Sequence, residues 1–353
     1  MRTLLINVLV FVLLVAALIL LPPLLFDGYR AVRQMRSADR DERADLAVYH
    51  DVAWAKTHFR EFSGLSSIYQ DFIGWRRAPF AGETITIDAE GYRLHPQAPA
   101  REAAAIWVFG GSTIWGPGSD DASTIPARIQ AHTARPTFNF GESAYTAHQS
   151  YNLLVKSYLQ GGKPQQVVFY DGANEVVIKC RTELNFYSTL QEATLRERTR
   201  STQLSAQMFA PTLELLSRVS RSMGGASKQD MGFDCHNNEA KRRLIAAGLV
   251  MDWTMARDLV EKQGGRFIAV LQPVSFTGAP RLDQLPADLA VASLRAEYDA
   301  VYPEIRRQLA AAGIAYVDLT QVFDGKEQIY IDFAHVSPHG NDIVAQRIAK
   351  LLN

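Results

Sequence analysis

The chain has 353 residues, 47% of them hydrophobic, with 37 basic and 37 acidic side chains. It is long enough to bury a large core, holding one sizeable domain plus appendages, and its composition is neither disordered nor fibrous. A balanced charge supplies no basic field, so no nucleic acid is expected as a partner.

Thr3 to Phe26 carry no charge over 24 residues. As a helix this run spans about 36 Å, enough for a hydrocarbon core. The reading is an uncleaved transmembrane anchor, residues 1–26, contacting the membrane through residues 3–26. A cleaved signal peptide is the rival, but the run is long for one and no small-x-small site follows it. Arg2 alone precedes the run, whereas Arg30, Arg33, Arg36, Arg40 and Arg43 follow it, which by the positive-inside rule keeps the bulk of the chain in the cytoplasm. Against this stand the only two cysteines, Cys180 and Cys235, placed to pair as a disulfide in an oxidising compartment. Two buried free thiols are the alternative.

Residues 27–100 lack a strand-helix rhythm and are read as a juxtamembrane region: a helical stretch, "DLAVYHDVAWAKTHFREF", then a short β-like piece, "AGETITIDAEGYRL", and a hinge at "PQAPARE". From residue 101 the pattern becomes regular. "AIWVFGG", "TFNFG", "QVVFYDG", "RFIAVLQPV" and "AYVDLT" are short apolar runs separated by helical patterns. Such alternation predicts a parallel sheet covered on both faces, a three-layer α/β/α domain over 101–353. Between Glu175 and Asn238 the rhythm stops for about sixty residues, long for a connection, so 175–238 is read as a cap insertion, with a helix pair on the sheet edge as the alternative.

Three runs end in glycine or polar residues: Gly110-Gly111-Ser112, Asn139-Phe140-Gly141 and Asp171-Gly172-Ala173-Asn174. Carboxyl ends of parallel strands line a common crevice, so these ends should meet. A serine hydroxyl is a poor nucleophile until a base takes its proton, and the base needs an orienting acid. "YIDFAHVSPHGND" supplies both, with Asp332 and His335 three apart ahead of a helix that Ser337 should cap and Pro338 should begin. Acyl transfer also needs donors for an oxyanion, and the Gly141 N–H, the Asn174 amide and Ser112's own N–H are the candidates.

These residues resemble the SGNH hydrolase family, the GDSL esterases and lipases. Gly110-Gly111-Ser112, Gly141, Gly172-Ala173-Asn174-Glu175 and Asp332-Phe333-Ala334-His335 stand as four of its blocks in order, over residues 103–353. The resemblance implies a flavodoxin-like α/β/α fold with a parallel sheet and Ser112 as nucleophile. It further implies Asp332 and His335 as the rest of a triad, with Ser112, Gly141 and Asn174 as the oxyanion hole. It implies no cofactor and an ester-bearing carbohydrate or lipid substrate, with hydrolysis of an acyl or acetyl ester as the reaction. O-acyl transfer to a polysaccharide and a non-catalytic binding module are the alternatives. An anchored, periplasmic protein would fit such a substrate. Two positions depart from the pattern: Gly111 stands where the family has aspartate, and Glu175 where it has a second aspartate.

Other sites are weaker. His335 and His339 are four apart, but Ser337 and Pro338 interrupt the helix between them, and a zincin glutamate is missing, so no metal is expected. No Gly-x-Ser-x-Gly elbow surrounds Ser112, which argues against the α/β-hydrolase fold. His148, His236 and His339 are read as surface or hydrogen-bonded residues, and Trp115 and Tyr145 as packing.

Overall fold

A computed structural model of the chain describes residues 41–184, 189, 191–192, 232–325 and 327–352, together with residues 2–11, 13–15, 17, 21, 25 and 28. The chain divides into two compact units, one of Met1–Arg40 with Leu190–Met231 and one of Asp41–Thr189 with Gly232–Asn353. In the first unit, residues 2–11 and 13–15 are helical, and Leu4, Leu5 and Phe11 are each more than half exposed. Among the described residues no helix is long and apolar enough to cross a membrane. Residues 12, 16, 18–20, 22–24 and 26 of the expected anchor lie outside those described.

The second unit begins with two short 3₁₀ turns and helix α1, Ala55–Gly64. A hairpin of β1 (Ser67–Gln70) and β2 (Gly74–Arg77) follows, then a three-stranded antiparallel sheet of β3 (Phe80–Ala81), β4 (Thr86–Ile87) and β5 (Arg93–Leu94). Residues 41–100 therefore fold within the same unit as the main sheet. Arg76, Arg93 and His58 are all buried in this segment, each bonded to at least one backbone carbonyl. Burial pushes the His58 imidazole down to about 3, with Arg93 acting the same way, so it is neutral at working pH.

The main sheet is built from β6 (Ile106–Gly110), β7 (Thr137–Asn139), β8 (Gln166–Asp171), β9 (Arg266–Leu271) and β10 (Tyr316–Asp318), all parallel, in the order β10-β9-β8-β6-β7. All five arise from the apolar runs read in the sequence. Counting only these strands, the order is 2-1-3-4-5, the flavodoxin-like winding whose switch point lies between the first and third strands, β6 and β8. Side chains alternate across the sheet. Ile106, Val108, Val168, Ile268 and Val270 form one face, in a cluster with Ile125 and Ile129 of α3 (Ile125–Thr133) and Val344 and Ile348 of α9 (Pro338–Leu352). Trp107, Phe109, Phe169 and Phe267 form the other, an aromatic file with ring centroids 5.1–6.2 Å apart. On the remaining layer α6 (Glu239–Lys262) packs against both α4 (Ala147–Leu159) and α8 (Arg295–Ala311), the latter preceded by the short α7 (Ala287–Ala290).

The stretch expected as a cap is described at its ends. Its start lies in α5 (Ala173–Lys179), and Cys180 is joined to Cys235 by a disulfide. Beside it Arg181 pairs with Phe233 in an antiparallel bridge, and Thr182 N–H donates to Gly232 O at 2.9 Å. The two described ends of the stretch are thus joined to each other by one covalent bond. That bond restricts the unfolded chain by about 4 kcal/mol in the loop-entropy model. A Cys180→Ser/Cys235→Ser double variant should keep the far-ultraviolet circular dichroism of the wild type and unfold at lower denaturant, by about 2–4 kcal/mol. Thiol titration of denatured, unreduced wild-type protein should find no free sulfhydryl.

Candidate active site

The sheet delivers Ser112 and Asn174 to neighbouring positions at its carboxyl edge. β6 runs into α2 (Ser112–Trp115), so Ser112 is the first helical residue after the strand, and β8 runs through Gly172 into α5. These are the two strands at the switch point, where open α/β sheets place ligands. Asp332 and His335 reach the same edge from a loop after β10, pinched shut by the Tyr330–Val336 bridge and an Ile331 N–H bond to His335 O. Pro338 then starts α9, and Ser337 Oγ accepts the Gly340 N–H at 3.3 Å.

Ser112 Oγ lies 2.7 Å from His335 Nε2, across 223 residues of sequence, and His335 Nδ1 lies 2.6 Å from Asp332 Oδ2. Asp332 Oδ1 accepts the N–H groups of Ala334 at 2.9 Å and His335 at 2.8 Å. Burial pushes the Asp332 carboxyl up, but the adjacent imidazole and these hydrogen bonds outweigh it and hold the group at about 2. An ionised carboxylate only accepts, so His335 Nδ1 carries the proton and Nε2 is left as acceptor for the Ser112 hydroxyl. Chemically, this is a hydroxyl poised against a base that is itself oriented by an acid.

Asn174 donates one amide hydrogen to Tyr145 O at 2.7 Å, which leaves the other for a ligand. Its Nδ2 also rests on Gly111: a β-carbon there would collide with that nitrogen and approach Tyr145 O at 3.2 Å. In this chain the absence of a side chain at 111 is what lets the Asn174 amide sit there. Gly141 is placed differently from the sequence expectation. Its N–H is given to Asn139 Oδ1 at 2.9 Å, and a β-carbon on it would meet Trp115 N at 2.5 Å, so it packs under α2 with its donor already used. The same loop carries Ala144 at φ 62°, a left-handed conformation uncommon for a non-glycine residue, next to the Tyr145 carbonyl that holds Asn174.

The segment before the sheet braces this site. Trp75 Nε1 donates to Ser143 O at 2.9 Å, Tyr145 Oη donates to Trp75 O, and Arg77 binds Glu142 and Ser143, so β2 grips the loop that carries Ala144. Arg93 lies under α2, donating to the carbonyls of Trp115 and Gly116 with its guanidinium 4.5 Å from the Trp115 ring. A helix ends with unpaired carbonyls, and a buried cation suits them. Glu175 joins two other elements, accepting the Gly172 N–H at 2.8 Å and the Ala147 N–H at 2.7 Å, so one carboxylate ties the start of α5 to the start of α4.

Trp115 and Tyr145 are buried packing residues. His148, His236 and His339 pair with Asp252, Glu297 and Glu327. The bracing arginines and Trp75 were not read from the sequence as parts of the site.

No protein-family model matches the chain, and no curated protein matches it. Solved structures are similar to it. A member of the lipolytic protein G-D-S-L family from Veillonella parvula is 10% identical, with 70% of this chain and 96% of that one covered at a TM-score of 0.39. A carbohydrate acetylesterase from Sinorhizobium meliloti is 13% identical, with 70% and 97% covered at 0.40. An acetyl xylan esterase is 11% identical, with 70% and 100% covered at 0.39.

Gly111→Ala should push Asn174 out of place while leaving the sheet intact. Its kcat on an activated ester is expected to fall by about 10²-fold, close to that of Asn174→Ala, with KM little changed. Steady-state kinetics of both variants beside a thermal melt check this.

Proposed function

We propose that this chain is an SGNH-type serine esterase. The observation that carries the reading is the hydrogen-bonded line Ser112–His335–Asp332 at the switch point of the sheet. His335 Nε2 takes the Ser112 proton as Oγ forms a bond to an ester carbonyl carbon. The resulting imidazolium is stabilised by Asp332 and returns its proton to the leaving alkoxide as the old ester bond breaks. Water then attacks the acyl-enzyme with His335 again as base, releasing the acid and restoring the serine. The Ser112 N–H, the second Asn174 amide hydrogen and the Ala144 N–H are assigned to the oxyanion. Ala144 takes the place first given to Gly141, whose donor is spent on Asn139. The chain's own residues thus supply nucleophile, base, acid and oxyanion donors, and the reading calls on no cofactor.

The four-block resemblance in the sequence supports an acyl ester, acetyl above all, of a carbohydrate or lipid as the substrate class. The Cys180–Cys235 disulfide supports a location outside the cytoplasm, and the uncharged run at residues 3–26 supports a membrane anchor.

Ser112→Ala and His335→Ala should each lower kcat on a short-chain aryl ester by at least about 10⁴-fold, with both proteins folded. An organophosphonate should add its mass to wild-type protein and not to Ser112→Ala. Wild-type turnover by Ser112→Ala would overturn the mechanism. With an acylated donor and a deacylated oligosaccharide both present, free acid should dominate, and acylated sugar as the main product would assign acyl transfer instead.

A further inference from the structure

Among the groups outside the relay, Arg43 reaches it directly. Its Nη1 lies 3.7 Å from Asp332 Oδ2, the oxygen that also accepts from His335 Nδ1. The other carboxylate oxygen is already filled by two backbone N–H groups. At 3.7 Å the contact is an ion pair without a hydrogen bond. The guanidinium is not free to swing. Nε and Nη2 donate to the two oxygens of Asp41 at 2.9 and 2.7 Å, a two-point pair, and its Cζ lies 4.9 Å from the Phe59 ring centroid and 5.3 Å from that of Phe62. The surrounding packing is continuous with the acid's own loop, because Leu46, Tyr49 and Phe59 cluster with Ile331.

We propose that Arg43, with its charge balanced by Asp41, is a positioning residue that seats Asp332 Oδ2 toward His335 and shields that oxygen from water. The proposal rests on the esterase reading above and adds a part to it. The Asp41 pairing decides whether a cation here helps or harms. An unbalanced guanidinium beside Oδ2 would draw on the charge that must stabilise the imidazolium, and would repel the imidazolium itself. Bound at two points to Asp41, it keeps its shape and its contact while presenting little net charge. The other titratable groups that face Asp332 are Tyr49 and Tyr298, and burial raises both phenols, so they stay neutral.

The test is a double-mutant cycle of Arg43→Met and Asp41→Asn on an aryl ester. Methionine keeps apolar contact with Phe59 and Phe62 while removing the fork. Arg43→Met is expected to lower kcat about tenfold with KM within about twofold. Asp41→Asn should cost several-fold while Arg43 is present and nothing in the Arg43→Met background. Equal cost in both backgrounds would overturn the proposal, since independent packing roles multiply. A second readout needs no substrate: the low-field proton resonance of the His335 Nδ1–Asp332 bond should shift or broaden in Arg43→Met and recover in part in Arg43→Lys. An unchanged resonance in Arg43→Met would sink the role of Arg43 whether or not the protein turns over esters. A shifted resonance in a protein inert to esters would keep the contact and discard the esterase reading alone.

Discussion

One hydrogen bond of 2.7 Å, from the end of β6 to a loop 223 residues later, is the constraint the rest of the domain has to satisfy. Neither partner is held by a long regular element of its own. Ser112 sits on a four-residue helix and His335 in a loop, both too short to have a fixed direction of their own. Direction is supplied by what lies beneath each. For Ser112 this is the fully buried β6, Gly141 pressed under α2, and Arg93 on the carbonyls of the helix end. For His335 it is the carboxylate behind it, itself fixed by backbone donors of the same loop.

Much of that bracing comes from residues 41–95, which precede the sheet in sequence. Buried guanidinium groups are costly unless each N–H finds an acceptor. Arg93 finds four carbonyls and Asp121, whereas Arg76 finds the carbonyls of Gly91 and Gly141 beneath the face of Tyr92 and leaves its buried Nη1 without a hydrogen-bond partner. Loop carbonyls are the ones that secondary structure leaves unpaired, so a buried arginine there satisfies two shortages at once. The loops around the site are fixed by cations brought from outside the sheet, and they need not form regular structure to be rigid.

This explains what the sequence disclosed and what it concealed. The five strands were legible because buried parallel strands are continuous apolar runs, and their ends were legible because glycine and polar residues break those runs. Ser112, Asp332, His335 and Asn174 could be nominated from chemistry and order. Arg43, Arg76 and Arg93 could not, because an arginine in an aperiodic stretch reads as a solvated side chain, and only tertiary placement shows that the partners of Arg76 and Arg93 are carbonyls and that Arg43 reaches Asp332. The pairing of the Gly141 N–H was hidden for a related reason. Nothing in "NFG" says that the asparagine two residues earlier will take the glycine's N–H, whereas the left-handed turn at Ala144 carries no glycine to announce it.

Two buried carboxyl groups near the crevice show how environment, and not residue type, assigns the acid. Asp332 receives an imidazole N–H and two backbone N–H groups, enough to keep it ionised against the pull of burial. Asp171, at the end of β8, is pushed well above the usual carboxylate range, first by burial and then by Glu175 beside it, with the Trp253 indole N–H on Oδ2 as its hydrogen bond and Oδ1 left without a partner. Their effects on stability therefore run in opposite directions with pH. The ionised Asp332 stabilises the fold above the ordinary carboxylate pKa, and that contribution is lost as pH falls through about 2. Asp171 holds its proton more tightly folded than unfolded, so its contribution is greatest in acid and declines as pH rises. Glu175, the carboxyl beside Asp171, is tied instead to backbone, accepting the N–H groups of Gly172 and Ala147.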